Sequence, residues 1–190
     1  MIPMALHDRI RKLTYEDYVL IPEDGQRHEI IDGEHYVTPS PFVRHQTLLV
    51  ELSARFRNYL KRRRIGHILI APMDVLFSVY DVVQPDLLFI SKERAGIIDR
   101  KNIQGAPDLV IEILSAGNRK HDQETKLDLY DRFDVLEYWI FDPELRTAQV
   151  YRRAEGGLRL FADLSAAAGD MLTSPLLPGF SLPLVKVFES

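Results

Sequence analysis

The sequence predicts an α/β (α+β) domain in which helices flank a mixed central β-sheet. Three observations carry that prediction. Short β-branched and aromatic runs, "HILIAP", "DVLFSV" and "VVQPDLLFI", follow one another through the middle of the chain, split by Pro72, Tyr80-Asp81 and Pro85. A long stretch before them, from Pro41 to Arg64, repeats Leu48, Leu49, Leu52, Phe56, Tyr59 and Leu60 at helical spacing. Two later runs, 109–114 and 138–141, are almost continuously apolar, the pattern of strands buried on both faces.

The remaining elements follow in order. "TYEDYVL" offers Thr14 as the cap of a short helix, and "HEIIDGEHYV" sets Asp32-Gly33 between two β-prone runs, a hairpin signal. The long helix spans about 42–63, with Gly66 as its stop. After the 109–114 strand come a polar turn with Ser115 and Gly117 and a helix from about Asp122 to Phe133. "EYWIFDP" reads as a buried strand, with Trp139 in the core and Asp142-Pro143 in the turn after it. "TAQVYRR" and "GLRLFADL" form a hairpin closing near Gly156-Gly157, and the proline-rich "SPLLPGFSLPL" is expected to run along the surface. With no repeat, low-complexity segment or linker, 190 residues are expected to make one domain.

Composition limits the chemistry. The chain has no cysteine, which excludes disulfides and thiolate catalysis and leaves oxygen or histidine for any metal. No apolar run approaches the roughly 18 to 20 residues that cross a bilayer, and "MIPMALHDRIRK" is too polar for a secretory signal, so no membrane and a cytoplasmic location are expected. A net charge of −4 does not announce a nucleic-acid binder. Positive charge is nevertheless concentrated in "RFRNYLKRRR", Arg55 to Arg64, at the end of the long helix. There it either solvates a helix C-terminus or meets phosphates.

Two acids interrupt apolar strands, Asp86 in "VQPDLLFI" and Glu112 in "LVIEILS". An unpaired buried carboxylate costs several kcal/mol, so each must be solvated, paired or metal-bound. A pair of carboxylates suits Mg²⁺ or Mn²⁺, hard cations that take oxygen ligands and leave other positions to water and phosphate. Lys126 adds a second anomaly. It shares a helix stripe with Leu129, Tyr130 and Phe133, where a cation is expensive unless it meets acids, Asp122 one turn earlier or Glu112 across the turn. His45 reads as a packing or capping residue, with contact to phosphate or a metal-bound water as the alternative, Asp108 as a cap or turn residue, and Tyr130 as core.

The order of "YEDYVLIPEDGQRHEIIDGE", "SPFVRHQTLL", "VQPDLLFI", "PDLVIEILS", Lys126 with Tyr130, and "EYWIFDP" resembles the Uma-type restriction endonuclease family of the PD-(D/E)XK nuclease superfamily, over about residues 13–188. In the usual motif a lysine follows the acid by two residues, but Leu114 stands there. The resemblance implies a restriction-endonuclease-like fold and hydrolysis of nucleic-acid phosphodiesters. By it, Asp86, Glu112, Lys126 and Glu29 match catalytic positions, Asp86 and Glu112 would hold Mg²⁺ or Mn²⁺, and the lysine has moved to the following helix. DNA is the expected substrate, with a homodimer as an option. The alternatives are a catalytically inactive nuclease-fold module that binds nucleic acid or protein, and a hydrolase of smaller phosphoesters. Lys126→Met is expected to keep stability and lose cleavage.

Overall fold

The computed structural model describes residues 11–38, 40–115 and 119–189. The expected turn residue Gly117 and the first ten residues, read above for a secretory signal, lie outside that range. Helix α1 (Tyr15–Tyr18) starts in a reciprocal capping box, Thr14 Oγ1 accepting from the Asp17 N–H and the Asp17 carboxylate from the Thr14 N–H. Strands β1 (Arg27–Ile31) and β2 (Glu34–Thr38) make the expected hairpin, with Asp32 and Gly33 at φ of 52° and 78°. Such a two-residue turn needs positive φ at both positions. Helix α2 (Val43–Arg62) buries Leu48, Leu49, Leu52, Phe56 and Tyr59, the predicted stripe.

The next segment holds four strands where three were expected: β3 (Gly66–Ile70), β4 (Val75–Ser78), β5 (Asp81–Val83) and β6 (Leu87–Ser91). Pro85 has no N–H for a ladder, so "VVQPDLLFI" breaks at Gln84-Pro85-Asp86. A 3₁₀ turn, Lys92–Ile97, leads to β7 (Ile103–Gln104) and β8 (Leu109–Ile113). The predicted second helix begins with a π-wound turn, His121–Thr125, and continues as α3 (Lys126–Arg132). Then follow β9 (Glu137–Asp142), β10 (Thr147–Ala154), β11 (Gly157–Ser165), β12 (Met171–Thr173), β13 (Ser181–Pro183) and α4 (Leu184–Phe188).

The single central sheet of the prediction is two mixed sheets. One has five strands in the order β2-β1-β5-β4-β7, the other six in the order β11-β10-β9-β8-β6-β3, and β12-β13 form a small ribbon. β4 runs parallel to β7 and β8 parallel to β9, α3 lying in the crossover between the latter two. The chain passes from the first sheet to the second through Gln84-Pro85-Asp86. That crossing point carries one of the two anomalous acids.

The six-stranded sheet is buried on both faces. Because side chains alternate along a strand, Leu109, Ile111 and Ile113 of β8 join Leu52 and Phe56 of α2, whereas Val110 and Leu114 join Leu129 and Tyr130 of α3. Glu112 has the parity of the second set, so register alone aims it at α3. The C-terminal tail corrects another expectation. Leu177, Phe180, Leu182, Leu184 and Val187 are buried in the cluster with Phe56 and Trp139 instead of lying on the surface. The β12-β13 ribbon and α4 bring the tail into the cluster that holds the apolar stripe of α2, with α4 against that helix.

Gly66 serves a different purpose from the helix stop assigned to it. A Cβ at this position would lie 2.3 Å from the Ile90 carbonyl oxygen and 2.6 Å from the Phe89 ring. Gly66→Ala is therefore expected to cost about 1–3 kcal/mol, the usual range for overpacking. Chemical denaturation gives the number, and a value within error of the parent would show that β3 can shift on β6 freely.

Candidate active site

Two strands, the segment between β5 and β6, and one helix bring the singled-out residues together. Glu29 sits mid-strand in β1, Asp86 at the crossing between the sheets, Glu112 mid-strand in β8, and Lys126 at the first turn of α3. All four are buried. The Lys126 ammonium lies 2.8 Å from Glu112 Oε1, 3.0 Å from Glu29 Oε1 and 3.5 Å from Asp122 Oδ1. It points inward, with Asp122 its most distant partner. Tyr130, one turn on, donates its hydroxyl to the same Glu112 Oε1 at 2.9 Å, so it is core and site at once.

Asp86 is held at every oxygen. Oδ2 accepts the Ile113 N–H at 2.8 Å and hydrogen-bonds His45 Nε2 at 2.9 Å, while Oδ1 accepts from Arg27 at 2.9 Å. Its own N–H lies 3.4 Å from Glu112 Oε2, which makes the two acids neighbours. Glu29 Oε1 also accepts the Gln84 N–H at 2.8 Å, tying β1 to the segment that carries Asp86. His45 is thus a site residue. It does not cap α2, whose N-cap is Phe42 with no side-chain cap bond; it is buried, and its imidazole turns to Asp86.

Burial and charge oppose each other here. Burial alone would raise Glu29, but Lys126, His121, the Gln84 N–H and Arg27 outweigh it and bring the group down to about 2. Asp86 is likewise brought to about 2, against burial, by His45, Arg27 and the Ile113 N–H. Glu112 goes the other way: burial and the adjoining Asp86 and Glu29 raise it despite Lys126. Asp122 is raised well above the usual carboxylate range by burial and by the surrounding acids. Lys126 is raised by Glu112, Glu29 and Asp122 against its burial, and stays a cation.

This crowding bears on whether a divalent cation suits the site. Among the described residues no set of three or more His, Asp or Glu side chains surrounds a common point as a protein-built cage. Mg²⁺ does not require one, since it binds through one or two carboxylates and keeps water and phosphate as its other ligands. Asp86 and Glu112 supply that minimum and border a small cavity of about 20 Å³ shared with Arg27, His45, Ile113 and Lys126. That is room for about one water. Glu29 Oε2 and Asp122 Oδ1, nearby, are buried without a hydrogen bond among the described residues. The unbonded oxygen of Asp122 beside the cavity and the raised Glu112 and Asp122 are what a hard cation relieves, so a divalent ion suits this acid set.

The sequence did not single out Arg27 or His121. His121 lies 3.4 Å from Glu29 Oε2 and packs its ring on Tyr36 at 4.5 Å. Arg27 had one available signal, its place two residues before Glu29, which in a strand means the same face. Other residues read as structural behave so: Asp108 accepts the Ser91 N–H at 2.7 Å, and Asp142 accepts the N–H groups of Glu144 and Leu145 in a turn. The basic helix end is not part of this cluster. Seventeen residues of α2 separate His45 from Arg62, roughly 25 Å at 1.5 Å per residue.

The fold is a nuclease-like one. Its architecture matches a crystal structure from Anabaena variabilis described as "a putative nuclease belonging to DUF820", with a TM-score of 0.77 and 20% identity over 93% of this chain and 98% of that one. The chain belongs to the Uma2 family, described as "Putative restriction endonuclease", which matches residues 15–185. No curated protein matches the sequence. No helix among the described residues is long and apolar enough to cross a membrane.

Proposed function

We propose that the chain is a metal-dependent nuclease that hydrolyses phosphodiester bonds of nucleic acid, DNA foremost. One observation carries the reading: Asp86 from the segment between β5 and β6 and Glu112 from β8 converge with the buried Lys126 on a water-sized cavity at the junction of two sheets. Asp86 and Glu112 would hold Mg²⁺ or Mn²⁺, which when bound neutralises a scissile phosphate and acidifies water. Lys126 favours the charged form of Glu29 and opposes the upward shift of Glu112, and it offers a fixed cation beside the reacting centre. Tyr130, whose hydroxyl is kept protonated by burial and by Glu112, orients that carboxylate as a donor. His45 orients Asp86 through Oδ2, and Glu29 anchors Lys126.

The test is calorimetric titration with Mn²⁺ followed by incubation with plasmid DNA, for the parent, Asp86→Asn and Glu112→Gln. Partners outside the ligand set of metal sites are worth 10–100-fold, so losing a direct carboxylate is expected to weaken Mn²⁺ by at least about 100-fold and to stop cleavage. Unchanged Mn²⁺ affinity in both variants would move any metal elsewhere. A second reading has its own observation, since every carboxylate oxygen of Asp86 is already engaged by protein groups. A parent chain that takes up no Mn²⁺ and cuts nothing is the result expected of an inactive nuclease-fold module.

A further inference from the structure

Among the described residues, Arg27 holds the carboxylate oxygen of Asp86 that neither the Ile113 N–H nor His45 engages. Asp86 has two oxygens, and Oδ2 is committed to the Ile113 N–H, fixed by the β8 backbone, and to His45 on the packed helix α2. Only Oδ1 remains for a cation shared with Glu112, and the Arg27 guanidinium holds it at 2.9 Å. A guanidinium and a divalent ion on one oxygen repel each other at a separation where charges interact strongly. Arg27 is also the loosest member: 19% of its side chain is exposed, against 3% or less for Lys126, Glu112, Asp86 and Glu29. It lines the same small cavity with Thr38 and Pro41.

We infer that Arg27 is an electrostatic placeholder that releases Asp86 to a divalent cation and then clamps the phosphate of the bound strand. The inference rests on the nuclease reading and adds to it a competition between an internal cation and the metal. A guanidinium is suited to both states, since its fork of N–H donors matches carboxylate and phosphate alike. The arrangement keeps Asp86 charged at all times. It also couples metal entry to substrate grip, because the residue displaced by one becomes available to the other.

The experiment uses the full chain and titrates Mn²⁺ by calorimetry, then measures binding of a short DNA duplex in Ca²⁺. Arg27→Met and Arg27→Gln both remove the charge, and the second keeps a donor for Asp86 should the first fold poorly; thermal unfolding checks each. Both variants are expected to bind Mn²⁺ roughly tenfold tighter than the parent, as the competing cation is gone. The same variants are expected to bind the duplex about tenfold more weakly, the worth of a charged phosphate contact. Arg27→Lys is expected to fall between them and the parent in both assays. Mn²⁺ affinity that is unchanged or weaker in the folded variants, while Asp86→Asn still abolishes it, would overturn the placeholder role alone. Unaltered duplex binding would overturn the clamp. A parent whose Mn²⁺ binding is indifferent to Asp86→Asn would bring down the nuclease reading and this inference together.

Discussion

Lys126→Met is expected to lose cleavage and to lower stability at neutral pH by about 3–5 kcal/mol, the cost of leaving buried charge without its partner. The structure reverses the sequence-based expectation that this variant keeps its stability. Lys126 is sealed among Glu112, Glu29 and Asp122 rather than snorkelling to solvent, so methionine fills the space but strands the acids. The deficit has a defined pH dependence. In the parent, Glu29 sits near 2 against an ordinary 4.5, so its contribution is present above 4.5 and lost as pH falls through about 2. Glu112 and Asp122, already raised in the parent, lose the cation that holds them down, and Glu29 loses the strongest group that lowers it. The added penalty is absent below the ordinary carboxylate values, about 4, and grows as pH rises from them toward the raised ones. Urea denaturation at pH 7 and pH 4.5 measures this, and a deficit equal at both would show that the ammonium does not neutralise the buried acids. Cleavage equal to the parent's, in a preparation free of other nucleases, would remove Lys126 from catalysis.

Deletion of residues 170–190 is expected to abolish folding altogether. The segment contributes Leu172, Leu177, Phe180, Leu182, Leu184 and Val187 to the core around Phe56 and Trp139. At about 1.5–3 kcal/mol for each buried side chain, their removal costs about 9–18 kcal/mol, as much as the roughly 5–15 kcal/mol by which domains are ordinarily stable. Loss of the near-ultraviolet signal of Trp139 and of cooperative melting are the readouts. A soluble truncated chain that melts cooperatively would make the tail an accessory. The point variant Phe180→Ala grades the same effect. Its ring packs at 4.8 Å on Phe56 and 5.2 Å on Tyr59, and truncation of such a ring costs about 3–5 kcal/mol.

Local pattern determined much of this molecule. The Asp32-Gly33 turn, the stripe of α2, the double burial of β8 and β9, and the anomalies at Asp86, Glu112 and Lys126 were all legible, because each follows from residue chemistry repeated at short range. The parity of Glu112 and Leu114 also fits the displaced lysine that the nuclease reading proposes. Leu114 shares the face of Glu112, and α3 covers that face, so Lys126 on the helix approaches from where the strand lysine would have stood. What no local pattern contained was the assignment of strands to sheets. Pro85 announced a break, but only pairing partners far away in sequence decided that β5 and β6 enter different sheets and leave Asp86 at their junction. The same is true of His45 and Arg27, whose hydrogen bonds to Asp86 cross 41 and 59 residues, and of the tail, whose prolines suggested a surface path while its leucines packed inside. Register and periodicity act over a few residues and can be read from them. Which buried charge meets which partner depends on contacts made only when the whole chain has closed.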